Sequence, residues 1–188
     1  MSIFLHNLNR LGKNVQRIFW VLIFLSGTTA FGQITWVGGT TGTWSTAANW
    51  STGAVPTAAD AVRISNPTAG TSVNVTVDIP NAACLSVQIA PNNNNTNRLT
   101  FAAGSQLTVS GNVSFGDAAR TNRVGILDMT AGGLLVCQAF VDNNTGAANT
   151  FIPGLGEVEL TATNTLPATV MTTFNLLTIS GGTTSLGR

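Results

Sequence analysis

The chain has 188 residues, of which 44% are hydrophobic, and its eight Lys and Arg nearly balance its seven Asp and Glu. After residue 32 there is no His, Lys or Tyr, and five arginines stand against seven acidic residues, a net charge of −2. Such sparse, scattered charge excludes an electrostatic nucleic-acid surface. The missing His removes most nucleophile–base pairs and the usual catalytic zinc ligands, so the sequence nominates no catalytic residue, metal site or cofactor.

Residues 1–32 have the three parts of a signal peptide. The basic region contains Arg10, Lys13 and Arg17, and the apolar run is 18–25. Small residues follow at 30–32. Cleavage is expected between Gly32 and Gln33. The apolar run is about 8 residues long, whereas about 20 are needed to cross a bilayer, so we expect no permanent membrane anchor. The expected partners are the export machinery and signal peptidase, and the expected location is secreted or extracellular, including attachment to the outer cell surface.

Three tryptophans dominate the next segment, 33–70. Trp36, Trp44 and Trp50 lie among Gly, Ser and Asn residues, which favour turns. One interpretation is a carbohydrate-contact surface, because flat aromatic rings stack on sugars. The other is a hydrophobic cap over an open end of the fold, since three exposed tryptophans would be an unusual surface on a monomer. We expect the cap, which predicts burial of all three rings near Val62, Ile64 and Val75.

From residue 71 onwards, short apolar strands alternate with Gly, Asn, Thr and Pro. Alternation of apolar and polar residues with a period of two marks half-buried strands, and no stretch shows a helical period. The clearest alternations are 73–77, 85–89, 107–109, 113–115 and 157–160. The sequence therefore predicts an all-β fold over 71–188.

Comparable apolar strands recur along this region at a loose interval. They contain Leu85, Leu107, Leu134, Val158 and Leu177, at steps of 22, 27, 24 and 19 residues. Steps of about 20–25 residues are typical of a solenoid, in which each coil stacks on the previous one. We therefore predict a right-handed parallel β-solenoid (β-helix) with an N-terminal Trp-rich cap. An antiparallel β-sandwich is the alternative, because it also consists of short strands separated by turns.

Cys84 and Cys137 are 53 residues apart, or about two coils. Neighbouring coils stack about 4.8 Å apart, so two coils separate their backbones by almost 10 Å. A disulfide requires Cα atoms within about 7 Å. Although an exported protein can form disulfides, the solenoid register predicts two separate, buried thiols.

Two Asn-rich segments and a pair of carboxylates remain as candidates for a binding or catalytic site. We predict that 91–97 and 142–146 are solvated loops, since Asn tolerates turn conformations. The second segment lacks most ligands of a calcium loop, so we expect a turn there. Glu157 and Glu159 share one face of a strand, but the apolar residues that alternate with them predict a solvated face rather than a catalytic pair.

The Trp segment resembles the N-terminal cap motif of secreted parallel β-helix adhesin-like proteins from the Bacteroidota, and more distantly the opening of the G8 domain. Matching residues are Trp36, Gly38, Trp44, Ser45, Asn49, Trp50, Gly53, Pro56, Asp60, Val62 and Ile64. Residues 83–89 and 174–181 are also similar to strands of those proteins. Such proteins usually end in a sorting domain for type IX secretion. None is visible before Arg188, so we expect the coils of 71–188 to be truncated.

The resemblance implies a secreted or cell-surface structural or adhesive module without catalytic activity of its own. Its expected partner is a surface polysaccharide or another cell-surface protein. The alternative is a carbohydrate-binding or carbohydrate-active β-helix whose site lies partly in a missing C-terminal region. In that alternative, Trp36, Trp44 and Trp50 are the candidates for carbohydrate contact.

Overall fold

A computed structural model describes residues 33–65, 71–89, 95–117, 123–144 and 148–187 of the chain. The predicted signal peptide, 1–32, lies outside the described residues, as do 91–94 and 145–146 of the two Asn-rich segments. In the described ranges, the regular structure consists of β-strands and one short 3-10 helix, Ala47–Asn49. The prediction of an all-β fold is therefore confirmed.

The described residues form seventeen short strands, numbered in chain order. Their bounds are Gln33–Thr35 (β1), Thr41–Thr43 (β2), Ala61–Ile64 (β3), Val73–Val77 (β4), Ala82–Cys84 (β5), Ser86–Ile89 (β6), Thr96–Phe101 (β7), Gln106–Val109 (β8), Asn112–Phe115 (β9), Val124–Asp128 (β10), Leu134–Cys137 (β11), Ala139–Asp142 (β12), Thr150–Ile152 (β13), Glu157–Leu160 (β14), Asn164–Leu166 (β15), Leu176–Ile179 (β16) and Thr184–Leu186 (β17). Every strand except β5 contains at least one β-branched residue, and such residues suit a pleated surface.

Three parallel sheets form the faces of a solenoid. The first face is β1-β3-β6-β9-β12, the second is β2-β4-β7-β10-β13, and the third is β5-β8-β11-β14-β16. From β4 to β14 the chain visits the second, third and first faces in turn, and the solenoid makes about four turns. Every ladder between the described strands is parallel. The predicted β-solenoid is confirmed, and the antiparallel sandwich is wrong.

Alternate residues of each strand fill the interior of the solenoid. In β4, for example, Val73, Val75 and Val77 are buried, whereas Asn74 and Thr76 between them are half-buried on the outer surface. The strands β8, β9 and β14 show the same alternation. Successive side chains of a strand point to opposite faces of the sheet. The apolar residues of the two-residue period therefore face the interior of the solenoid, and the polar residues face its outer surface.

The third face contains four of the five recurring strands, β8, β11, β14 and β16. Leu107 pairs with Ala82 in the preceding coil and with Leu135 in the following coil, and Leu135 pairs with Val158. Leu85 lies between β5 and β6, where the chain turns from the third face to the first. The prediction that Leu85 lies in one of the recurring strands is therefore wrong, because apolar alternation alone does not show where a coil bends.

The two ends of the solenoid depart from the regular coil. At the start, β1 and β3 belong to the first face and β2 to the second, and the segment 44–60 takes the place of a third-face strand. At the other end, β15 contacts β12 but forms its ladder with β17. Residues 167–175 contain no strand, so the last described coil has two strands, β16 and β17.

Candidate functional site

Trp36, Trp44 and Trp50 form one aromatic cluster, the cap, at the start of the solenoid. Their exposed fractions are 0%, 0% and 1%, so the prediction that all three are buried is confirmed. Trp50 packs edge-on against the other two rings, with centroid distances of 5.2 Å to Trp36 and 4.9 Å to Trp44. This arrangement is favourable because the positive edge of one ring meets the negative face of another. The cluster shares its buried core with the three residues predicted beneath it, Val62, Ile64 and Val75.

The polar edges of the tryptophans are directed into the cap. Trp36 Nε1 donates a hydrogen bond to the carbonyl of Gly39 at 3.0 Å, and Trp50 Nε1 donates to the carbonyl of Trp44 at 2.8 Å. Trp44 Nε1 has no hydrogen-bond partner among the described residues. A carbohydrate platform needs an accessible ring face. These rings are enclosed, so the geometry favours the cap over the carbohydrate contact.

Gly38 and Gly42 allow the backbone to pass close to Trp36 and Asn49. A Cβ atom at Gly38 would lie 2.6 Å from Trp36 Cζ2 and 2.7 Å from Asn49 Oδ1, and one at Gly42 would lie 2.8 Å from Asn49 Nδ2. These distances are shorter than van der Waals contact, so a larger residue would displace the ring or the amide. The Asn49 amide is itself held by a 3.0 Å hydrogen bond to the carbonyl of Thr43.

Backbone hydrogen bonds attach the cap to the first coil. The N–H of Trp36 donates to the carbonyl of Arg63 at 3.1 Å, and the N–H of Trp44 donates to the carbonyl of Thr76 at 2.8 Å. Within the cap, Trp36 and Trp50 form an isolated antiparallel bridge. The cap therefore continues two of the three faces while its aromatic rings fill the interior.

Two aspartates stabilise the turns of this region. Asp60 accepts hydrogen bonds from the N–H and the hydroxyl of Thr57, at 2.8 and 2.7 Å. Asp78, at the end of β4, accepts from the N–H and the hydroxyl of Ser45, at 3.0 and 2.6 Å. Both carboxylates thus satisfy donors in neighbouring turns, and Asp78 joins the cap to the first complete coil.

Glu157 and Glu159 lie on the outer surface of β14, as predicted, and the residues that alternate with them are buried. In the ladders of the third face, Glu157 pairs with Leu134 on one side and Leu176 on the other. Glu159 pairs with Val136 and Thr178, and it is half-buried, whereas Glu157 is exposed. The pair is therefore part of a solvated face, in agreement with the prediction.

Arg98 and Asp128 form an ion pair on the second face, between β7 and β10. Burial raises the pKa of Asp128, but hydrogen bonds from Thr130 and the nearby Arg98 guanidinium outweigh it, so the pKa lies below its ordinary value. Both side chains are partly exposed, and solvent screening limits such pairs to about 1 kcal/mol or less. The pair stabilises the contact of two coils.

Buried asparagines were missed by the sequence analysis. Asn97 was predicted to lie in a solvated loop, yet it is buried, and its Oδ1 accepts from the N–H of Val73 at 3.0 Å. Asn149 is also buried, and its Oδ1 accepts from the N–H of Gly125 at 2.8 Å. Each amide satisfies a backbone donor of the preceding coil, which would otherwise be buried without a partner. The sequence feature that could have indicated these buried positions is an Asn at or next to the start of a strand in which apolar and polar residues alternate.

The described part of the segment that begins at Asp142 ends at Asn144, so the predicted turn over 142–146 stays a prediction. The Asp142 carboxylate accepts from the N–H of Asn144 at 3.0 Å and from Nδ2 of Asn149 at 2.8 Å, and it accepts from the hydroxyl of Thr169 at 3.3 Å. Asn144 is buried, so the prediction of a solvated loop is wrong at this residue. The Asp142 carboxylate therefore connects Asn144 and Asn149 with Thr169 of a later loop.

Cys84 and Cys137 are buried free thiols, in agreement with the predicted register. Cys84 pairs with Val109 of the next coil, and the ladder of β8 and β11 continues the column towards Cys137. Burial raises the pKa of the Cys84 thiol, with a smaller effect from Asp60, and burial raises the pKa of Cys137 to about 12. Both thiols are therefore neutral at physiological pH, and they act as small apolar groups of the core.

A groove of about 610 Å³ lies beside β12 and β15. It exists because β15 leaves the first face and pairs with β17 instead of β12. The amide of Asn164 holds its inner wall by donating to the carbonyl of Ala162 at 2.9 Å. Most of its lining surface is apolar, and the amide and hydroxyl side chains of Asn112, Gln138, Thr163 and Thr165 contribute the polar part. Its volume is within the range of about 300–1,000 Å³ for ligand sites.

Three further findings bear on the class of protein. The described residues contain no group of three or more His, Cys, Asp and Glu that could hold a metal ion. Within the same ranges, no helix has the length and apolar character that crossing a membrane requires. The chain matches no protein-family model, and comparisons with curated proteins and with solved structures give no significant match.

Proposed function

We propose that the chain is a secreted or cell-surface structural or adhesive module that has no catalytic activity of its own. The observation that carries the proposal is where the chemically distinctive side chains lie. The indoles are enclosed in the cap, and Asp60, Asp78 and Asp142 accept hydrogen bonds from neighbouring turns. The surface left for partners consists of three flat faces, which suit attachment along a length rather than enclosure of a small substrate.

The second face illustrates such a surface. Its ladders align outward residues into a column across five strands: Thr41, Asn74, Arg98, Ile126 and Thr150. Side chains in neighbouring strands repeat about every 4.8 Å, so their contacts to an extended partner add up along the solenoid axis. A surface polysaccharide or another extended cell-surface protein fits this geometry.

Export also supports the proposal. The basic, apolar and small-residue parts of 1–32 predict a cleaved signal peptide. The two thiols are buried and neutral, so an oxidising compartment would leave them unchanged. The fold is thus compatible with secretion without requiring a disulfide.

Beads coated with the purified chain and passed in flow over dextran-coated and protein-coated surfaces test the adhesive role. We expect retention on at least one surface. Replacing the outward residues Arg98 and Thr100 with Ala should reduce retention, whereas Ser110→Ala, at an exposed corner, should not. Retention on neither surface contradicts adhesion, and release of reducing ends from dextran contradicts the absence of catalysis.

A second candidate function is carbohydrate binding, and the groove beside β12 and β15 favours it. Its hydroxyl and amide lining can exchange hydrogen bonds with sugar hydroxyls. Fluorescence polarisation of a labelled dextran oligosaccharide tests this function. Gln138→Ala, at the corner between β11 and β12, should weaken binding if the groove is the site, whereas Gln88→Ala, in β6 and outside the groove, should not. Because the indoles are buried, sugar binding in the groove should leave tryptophan emission unchanged. Quenching of that emission would indicate a binding site other than the groove.

A further inference from the structure

An aspartate occupies a position on the first face where the preceding coils have buried apolar residues. The ladders align Ile64, Ile89, Phe115 and Asp142 in successive coils. The first three side chains are buried, whereas Asp142 is half-buried and lines the groove beside β12 and β15. A charged residue in an otherwise apolar column departs from the pattern of the fold, and such departures are expected at functional sites.

Asp142 also gives the groove its charge. Of the described residues that line the groove, Asp142 alone is charged, and most of the remaining lining surface is apolar. None of the ion pairs between described residues involves its carboxylate. Apolar surroundings strengthen electrostatic interactions, because they lower the local dielectric constant. The groove therefore carries a negative charge that a cationic ligand can neutralise.

The hydrogen bonds of the Asp142 carboxylate leave room for a further donor. Oδ1 accepts from the N–H of Asn144 at 3.0 Å and from Nδ2 of Asn149 at 2.8 Å, whereas Oδ2 accepts from the hydroxyl of Thr169 at 3.3 Å. An ionised carboxylate has about four acceptor positions, and an ammonium group has three N–H donors. A charge-assisted bond to Oδ2 would be shorter and stronger than the bond from Thr169.

A second acceptor in the groove also lacks a donor. Nδ2 of Asn164 donates to the carbonyl of Ala162 at 2.9 Å and to the hydroxyl of Thr184 at 3.3 Å, which fixes the orientation of the amide. Oδ1 of Asn164 is buried without a hydrogen-bond partner among the described residues. Asp142 and Asn164 both line the groove, so its unused polar capacity consists of acceptors. This favours a ligand rich in hydrogen-bond donors.

We propose that the groove beside β12 and β15 selects sugars that carry an ammonium group, and that Asp142 binds this group. The inference rests on the second candidate function, carbohydrate binding in the groove, and adds the class of sugar. The apolar part of the lining packs against the C–H face of the sugar ring, while Oδ2 of Asp142 accepts from the ammonium group. The same carboxylate repels a sugar that carries a carboxylate. The expected ligand is therefore an oligomer of glucosamine rather than an acidic polysaccharide.

Fluorescence polarisation with three labelled oligomers of equal length tests the proposal. They consist of glucosamine, N-acetylglucosamine and galacturonate, in a mildly acidic buffer in which the sugar amines are protonated. We expect the glucosamine oligomer to bind about fivefold more tightly than its N-acetylated form, the upper end for a partly exposed ion pair. The galacturonate oligomer should bind most weakly. In 1 M NaCl, where the Debye length is about 3 Å, these differences should largely disappear.

Two substitutions separate binding by Asp142 from attraction to the net charge of the protein. Asp142→Asn should bring the affinities for the glucosamine and N-acetylglucosamine oligomers together. Glu157→Gln removes the same charge from an exposed position outside the groove, so it should leave the preference unchanged. Circular dichroism checks that Asp142→Asn is folded, because Asp142 also holds Asn144 and Asn149.

A third substitution leaves the hydrogen bonds of Asp142 in place. Thr165→Lys adds a cation at an exposed position in the groove. It should weaken binding of the glucosamine oligomer and strengthen binding of the galacturonate oligomer. Ser110→Lys adds the same charge at an exposed corner outside the groove and should have neither effect.

The outcomes distinguish this inference from the function on which it rests. Equal binding of the glucosamine and N-acetylglucosamine oligomers would overturn the selection of an ammonium group and leave carbohydrate binding intact. So would a preference that Asp142→Asn and Glu157→Gln reduce equally, because it would arise from net charge. Binding of none of the three oligomers would refute carbohydrate binding in the groove and this inference with it.

Discussion

At its N-terminal end, the solenoid is filled by Trp36, Trp44 and Trp50, whose rings are enclosed and whose backbones continue two faces. At the other described end, Ile179 and Leu186 occupy inward positions and remain exposed. Both ends face the same problem, because stacked coils bury apolar side chains only when another layer covers them. Large aromatic rings replace that layer at one end. At the other end, the strands keep the parallel register of the coils, and their inward side chains are still aliphatic.

The comparison shows what a cap requires beyond apolar residues. The aromatic cluster needs close backbone approach at Gly38 and Gly42, and it needs internal acceptors for indole N–H groups. The other described end has strand edges and aliphatic side chains but no such elements. An open and a closed end therefore differ in local chemistry, although their strands continue the same sheets.

The largest effect is expected from Trp50→Ala, because Trp50 contacts both other rings of the cap. Truncating a buried aromatic residue costs about 3–5 kcal/mol, through lost burial and the cavity that it leaves. Leu186→Ala at the exposed end should cost less than about 1 kcal/mol. Urea denaturation of both variants measures the difference. Equal losses of stability would contradict the contrast between a closed and an open end.

A smaller loss is expected from Gly38→Ala. The added Cβ would approach Trp36 Cζ2 at 2.6 Å, and overpacking of this kind costs about 1–3 kcal/mol. Gly39→Ala is the matched control, since a Cβ there meets no atom within 4 Å and should be nearly neutral. Thermal denaturation by circular dichroism separates the two. If Gly39→Ala were the more destabilising variant, the packing account of the cap would be wrong.

The link between the cap and the first coil should contribute about 0.5–1.5 kcal/mol. Asp78→Ala removes the acceptor for both Ser45 donors. A double-mutant cycle of Asp78→Ala and Ser45→Ala isolates the side-chain hydrogen bond from other consequences of each change. Additive losses in urea denaturation would show that the two residues do not stabilise the cap jointly.

The smallest effect concerns Arg98 and Asp128, which lie between the two ends. Because the pKa of folded Asp128 is lowered, its contribution is complete above the unfolded-state pKa and is lost as pH falls through the folded value. Asp128→Asn should therefore cost about 0.5 kcal/mol at neutral pH and less at acidic pH. Urea denaturation at both pH values checks this sign. A larger cost in acid would be incompatible with a stabilising carboxylate.

Much of the fold was predictable because its signal is local. The alternation in 73–77 and 157–160 corresponds to β4 and β14. The spacing of Cys84 and Cys137 indicated separate thiols, because backbone hydrogen bonding fixes the stacking distance of the coils and covalent geometry fixes the reach of a disulfide.

Other features were not readable, because they depend on contacts between coils. Leu85 continues an apolar pattern, yet it lies at a corner, since bending depends on which residues the adjacent coil supplies. Asn97 resembles a loop residue, yet it is buried, since its amide meets the N–H of Val73 one coil earlier. The identity of a residue gives the chemistry of its side chain, but it does not show which residue of the neighbouring coil that side chain contacts.

The sequence by itself determined that the chain is built of stacked, half-buried strands, that its tryptophans belong to one segment, and that few titratable groups are available for chemistry. Only the tertiary structure decided that the tryptophans are enclosed and that Ile179 and Leu186 are open, although all five are apolar. The physical reason is that alternation specifies the inward side of a strand, whereas burial depends on whether another layer of the fold lies against that side.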